Sequence, residues 1–286
     1  MRRWNTTVLA YALLTTAVSA QSFQQIISHC ADRTRDPDRR IEACKQFYSA
    51  QGLEPAEYAL AEMNLGAAFD AKGEKAKALA AYSEAITRQP NMWQAYLDRL
   101  MLRLEMNDPD AAWDDYSQLI KIDPAKVRMD FTDVEYGTQH DSSHERGDEH
   151  ETGEYKHAVA KAQNALGVAF LVRCAQKHDR NPTGDDALAD CNRAISLTPN
   201  SFLAVGLRGL LEFGRGQDQE AIADFDASLA IKADYAPSLY LRGLAKCRSG
   251  DPKEGNADIK AALALQPDVT RIMAPKPIKA DETVRR

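Results

Sequence analysis

Glycine is scarce in this chain, 15 of 286 residues. That leaves little room for the many tight turns of a β-sandwich or barrel. A basic excess is missing: 36 Lys and Arg face 42 Asp and Glu, a net charge of −6 with a pI near 5.6. No basic stripe of the kind that binds nucleic acid is expected from that balance. Beyond the first twenty residues no run is apolar enough to cross a bilayer, which takes about 20 such residues. Catalytic signatures are missing too. There is no G-x-S-x-G elbow, no H-E-x-x-H and no phosphate loop, and Gly214-Arg215-Gly216 reads as a turn between helices. No CxxC pair marks a dithiol oxidoreductase. The chain therefore reads as non-enzymatic, with no cofactor. What it does have is 44% hydrophobic and 27% charged residues, enough for a packed core.

Residues 1–20 form a three-part segment. Arg2 and Arg3 supply positive charge, Thr7 to Thr16 is mostly apolar, and Val18-Ser19-Ala20 offers small residues before a cleavage point. This is the pattern of a secretory signal peptide, with cleavage after Ala20 and a mature chain starting at Gln21. The apolar run is too short for a membrane anchor. No lipobox precedes a cysteine. The expected location is periplasmic or secreted.

Proline recurs at 90 and 124, then at 199 and 267, intervals of 34 and twice 34. Inside the first interval Leu65, Gly66, Phe69, Ala78, Tyr82, Ala85 and Pro90 stand at positions 7, 8, 11, 20, 24, 27 and 32 of the unit. This resembles the tetratricopeptide repeat family. The resemblance covers most of the mature chain and implies an all-α, right-handed superhelical solenoid of helix-turn-helix units. Small residues at positions 8 and 20 let the two helices approach. Large apolar residues at 4, 7, 11 and 24 fill the space beside that contact. No single unit can bury its apolar face alone, so neighbours must stack.

The resulting division is residues 21–58 as a degenerate N-terminal hairpin, 59–126 as repeats 1 and 2, 127–166 as an acidic insertion, 167–269 as repeats 3 to 5, and 270–286 as a flexible tail. The insertion carries His140, His144 and His150 among carboxylates. Its glycines and Asp-Ser-Ser run favour a solvated loop over a metal site. From Glu154 a helical pattern begins that could continue into repeat 3 and project from the array.

An exported chain is free to form disulfides. Cys30 and Cys44 fall on the two helices of the first hairpin. Cys174 and Cys191 fall on the two helices of repeat 3, at positions where helices approach. Pro37-Asp38-x-Arg40-Ile41-x-x-Cys44 and Ala189-Asp190-Cys191-Asn192-x-Ala194 resemble segments of exported alphaproteobacterial tetratricopeptide proteins. The expected pairs are Cys30–Cys44 and Cys174–Cys191, with Cys247 unpaired.

In this family positions 2, 5, 9 and 12 of the first helix line an inner groove. Here those positions include Leu60, Met63, Leu97, Met101, Val168, Leu171, Leu203, Leu210, Phe213, Tyr240 and Leu244. The family's carboxylate clamp needs Lys and Asn there and is not matched. The resemblance implies a scaffold whose partner is another protein or peptide, held by an apolar groove that accepts an amphipathic helix or an extended peptide. A periplasmic chaperone-like holder and a metal-responsive binder are the alternatives. A competing expectation is that these side chains pack on one another, or beneath the insertion or tail.

Overall fold

The computed structural model describes residues 25–48, 53–122 and 145–273, and all regular structure among them is helical. The expected signal peptide, the histidines at 140 and 144, and residues 274–286 lie outside that range. A helical segment over 25–31 (α1) is followed by α2 (Pro37–Tyr48), α3 (Pro55–Ala71), α4 (Lys75–Arg88), α5 (Trp93–Glu105) and α6 (Pro109–Leu119). Then come α7 (Glu145–Arg180), α8 (Asp185–Leu197), α9 (Phe202–Gly214), α10 (Asp218–Ile231), α11 (Ala236–Arg248), α12 (Pro252–Leu265) and α13 (Val269–Met273). The chain forms two compact units, residues 1–165 and 166–286. Each is a stack of helical hairpins: α3/α4 and α5/α6 in the first, α9/α10 and α11/α12 in the second.

The hairpins start and turn at fixed places. Pro55, Pro109 and Pro252 sit in the first turn of their helices, where a missing N–H costs nothing. Asp108 accepts from Ala111 N and Asp251 from Glu254 N, capping two second helices. The turn inside four repeats places a residue with positive φ at position 15: Gly73, Asn107, Gly216 and Gly250. Repeat 3 turns instead through Asn181-Pro182-Thr183-Gly184, one residue longer, which makes it a 35-residue unit. The tightest hairpin is the last. A Cβ on Gly243 would lie 2.6 Å from Gly255 O and 3.1 Å from Ile259 N, so α11 and α12 touch backbone to backbone.

Position 7 departs from the expected apolar residue. Four repeats carry arginine there, each forked onto an aspartate of the second helix. Arg99 holds Asp115, Arg173 holds Asp190, Arg208 holds Asp224 and Arg242 holds Asp258, with N–O distances of 2.6–3.2 Å. In three of the four a second cation, four residues later, joins the same carboxylate: Arg103, Lys177 and Lys246 at 2.7, 2.8 and 2.9 Å. The third nitrogen of Arg99, Arg208 and Arg242 reaches the preceding repeat, at Ser83, Asn192 and Asp226. Repeat 1 alone has an apolar pair, Leu65 and Ala81, at these two positions.

The insertion is also more ordered than expected. One 36-residue helix, α7, begins at Glu145 rather than Glu154 and continues without a break into repeat 3. Its first part does not project from the first unit. Tyr155, Ala158 and Ala162 are buried, and the Tyr155 ring meets Trp93 edge-on at 6.0 Å. Tyr155 Oη lies 2.6 Å from Leu119 O and 3.0 Å from Ile122 O, the two carbonyls of the turn that Ile122 N closes on Leu119 O at 3.2 Å after α6. The tail likewise starts as α13, whose Val269 is fully buried against Leu239 and Ala262.

Candidate functional site

Both expected cysteine pairs are at bonding distance. Cys30 and Cys44 join α1 to α2, with S–S 2.07 Å and Cα atoms 4.8 Å apart. Cys174 and Cys191 join α7 to α8, with S–S 2.13 Å and Cα atoms 5.4 Å apart. Cys247 is unpaired, and a Cβ on Gly255 would come within 2.5 Å of its sulfur.

The eleven expected groove residues divide between the units, Leu60, Met63, Leu97 and Met101 in the first and the other seven in the second. In the first unit Leu60 and Met63 line a cleft of about 550 Å³ with Ser28, His29, Arg33, Arg35 and Asn64. Met63 is itself buried in the cluster of Ala59, Ala78 and Tyr82. Six of its nine lining residues are polar or charged. Arg33 reaches from the α1–α2 loop to Asp98 on α5, 3.1 Å away. Burial pushes the Asp98 carboxyl above the usual aspartate value even though Arg33 pulls it down. Leu97 faces α7 instead, in a cleft of about 610 Å³ with Trp93, Glu154, His157 and Lys161. Met101 is half-buried. In this unit, then, the expected inner face is shared with the chain's own helices.

The second unit differs. Leu171, Val172 and Ala175 of α7, Leu203, Gly206, Leu207 and Leu210 of α9, and Pro237, Ser238 and Leu241 of α11, together with Tyr235, line a groove of about 300 Å³. Two of its lining side chains are among the exposed large apolar residues of the described chain, Val172 at 50% and Leu203 at 45%; Val168, expected in the groove, is 58% exposed but does not line it. Three expected residues, Leu171, Leu203 and Leu210, are brought together here. Phe213, Tyr240 and Leu244 are not. They pack with Leu210 onto the buried cluster of Ala221, Phe225 and Leu241, and Arg248 stacks on the Phe213 ring at 3.8 Å. Half-buried, these three lie against that cluster and do not line this groove.

Position 6 of the first helix was missed. It supplies Val172, Leu207 and Leu241. On a helix, positions 2, 6 and 9 share a stripe as fully as 2, 5 and 9 do. The alternation of polar Asn64 and Asp98 with aliphatic Val172, Leu207 and Leu241 at this one position was the available signal.

Residues 63–92 match the family model of the tetratricopeptide repeat. No curated protein matches the chain. Among solved structures the chain is similar to the MamA protein, with 18% identity over 78% of this chain and 98% of that one, TM-score 0.41. It is similar to YrrB, described as a TPR protein with an unusual peptide-binding site, with 18% identity over 73% and 87% of the two chains, TM-score 0.39. A tetratricopeptide repeat protein of Parabacteroides merdae matches at 17% identity over 88% and 87%, TM-score 0.41.

Proposed function

We propose that this chain is an exported, non-catalytic scaffold that holds another protein through the groove of α7, α9 and α11. The single observation that carries the reading is that groove, a continuous aliphatic surface left open on a stack of hairpins whose cores are already filled. Exposed apolar area of that kind marks a contact site more often than chance placement. Export rests on residues 1–20, and it agrees with two cysteine pairs placed for disulfides. The first unit serves as support in this reading, because its own inner face is polar or covered.

The test is a photo-crosslinking amino acid at Leu203 in the full chain, expressed in its own cells. Discrete protein adducts are expected, and they should vanish when Leu210→Asp is added to a chain whose helical circular dichroism is unchanged. Adducts that persist through Leu210→Asp would place the contact elsewhere and refute the groove.

A further inference from the structure

We infer that the groove of α7, α9 and α11 is shaped for the apolar face of an amphipathic helix and not for an extended peptide, a conclusion that rests on the docking reading above. Charge is the first argument. No lining residue is charged, so the complementary surface is uncharged as well. An acidic or basic side chain placed there would lose its hydration with no counter-ion in return.

Hydrogen bonding separates the two remaining forms of peptide. Each residue of an extended segment brings one backbone donor and one acceptor that need partners once water is excluded. A strand obtains them from a sheet edge or from polar side chains. This groove offers neither. Its walls are helices whose backbone groups bond within the helix. Its only polar side chains are Ser238 and Tyr235. Ser238 is already engaged. Ser228 Oγ donates to Phe202 O at 2.9 Å, so its single proton is used, and the 2.9 Å contact between the two hydroxyls has Ser238 as donor. Its acceptor side is out of reach as well, since Ser238 is 1% exposed, which leaves one tyrosine hydroxyl for a whole segment of backbone. A helix arrives with its backbone already paired and presents only side chains.

The shape agrees. Leu171 and Ala175 stand one turn apart on α7 beside Val172, and Leu203, Leu207 and Leu210 repeat at four and three residues on α9. Two such ridges flank a channel in which side chains at i, i+3 or i+4, and i+7 of a third helix can lie. A volume of about 300 Å³ takes a few side chains and no more.

The probe is a fluorescein-labelled peptide of about 14 residues with leucines at i, i+4 and i+7 and Glu/Lys pairs elsewhere. Two controls keep its length. One carries a pair of D-residues on the polar face to prevent helix formation, and the other replaces the central leucine with glutamate. Anisotropy titration uses the full chain, and methyl NMR locates the contact. We expect saturable binding with shifts at Leu203, Leu207 and Leu210, weakened by about ten-fold or more in each control and lost in Leu210→Asp. If the non-helical peptide binds as well as the helical one and Leu210→Asp removes both, the helix inference falls while the docking reading stands. If Leu210→Asp leaves binding of the helical peptide unchanged, both fall. No binding by the helical peptide overturns the inference.

Discussion

Asp115 is the rung of the arginine ladder on which the energetics can be worked most fully. Its side chain is 1% exposed and holds Arg99 and Arg103 together. Burial pushes its carboxyl above the ordinary aspartate value, although both arginines pull it down. Desolvation thus outweighs attraction at this rung, and the ion pair is not a large net source of stability. Removing one partner is a different matter. Asp115→Ala strands two guanidinium groups in a mostly buried site, and breaking such a pair costs about 3–5 kcal/mol. Removing both partners should not. Arg99→Leu with Asp115→Ala recreates the Leu65/Ala81 pair that repeat 1 carries at the same two positions. Replacing a buried ion pair by apolar residues is often neutral or better. Arg103 keeps its bond to Ala111 O at 2.7 Å.

The double variant should therefore lie within about 1 kcal/mol of the parent chain, with a coupling energy of at least about 2 kcal/mol between the sites. Trp93 and Trp113 sit on the two helices of this hairpin, so tryptophan fluorescence under chemical denaturation reports on it directly. Two results would refute the reasoning. One is a double variant no more stable than Asp115→Ala. The other is a pair of single losses that merely add.

Asp258 titrates in the opposite sense to Asp115. Burial raises its carboxyl, but Arg242 and Lys246 together pull it below the ordinary value. Stability from Asp258 is present above the unfolded aspartate pKa and lost as pH falls through the lowered value, whereas protonating Asp115 favours the folded state as pH falls toward the unfolded value from above. Carboxyl carbon NMR should place the Asp115 midpoint above 3.8 and the Asp258 midpoint below it; the reverse order would contradict the assigned partners. Gly243→Ala should destabilise the last hairpin by about 1–3 kcal/mol, since the added methyl meets backbone that cannot step aside; unchanged thermal unfolding of the second unit would show slack that the contact distances deny. Replacing Cys174 and Cys191 together by serine should cost about 3 kcal/mol, the value for closing a loop of this length, and native peptide mapping of the exported chain should recover both cystine peptides with Cys247 alone alkylated. The same mapping should find Gln21 at the amino terminus.

What the sequence revealed was what repeats. The 34-residue interval, the small residues at positions 8 and 20 and the cysteines at hairpin contacts all follow from one periodic frame, and helices in such a frame can pack only as antiparallel pairs. Features particular to one repeat were harder to read. Arg99, Arg173, Arg208 and Arg242 look like surface charges until each is matched with an aspartate sixteen or seventeen residues on, because nothing local marks an arginine as buried. The start of α7 was obscured by Gly147 and Gly153, which lower helix propensity; the burial of Tyr155, Ala158 and Ala162 in the first unit accompanies the helix that this composition disfavours. The groove was only partly legible. Its position 6 residues share a helical stripe with the expected ones, but whether a stripe is open depends on the neighbouring hairpin, and that separates Leu210 from Phe213.

The ladder and the groove are connected through the geometry of the first helix in each repeat. Positions 7 and 11 turn toward the second helix and hold it by charge, as Arg242 and Lys246 do on Asp258. Position 15 sets the turn, and position 8 sets the closeness of approach. Positions 2, 6 and 9 are not needed for any of this. The first unit shows as much: Asn64 and Asp98 occupy position 6 there, and α3 still pairs with α4 and α5 with α6. In the second unit Leu241 at position 6 is buried against Ala221 and Phe225, and Leu207 packs on Cys174, Cys191 and Leu211, so Val172 is the position 6 side chain that this packing leaves exposed. Val172 stays half in solvent, where an apolar side chain gains nothing from folding. In the docking reading proposed above, the exposed Val172 and Leu203 are the part of the groove that a contact outside the chain would cover.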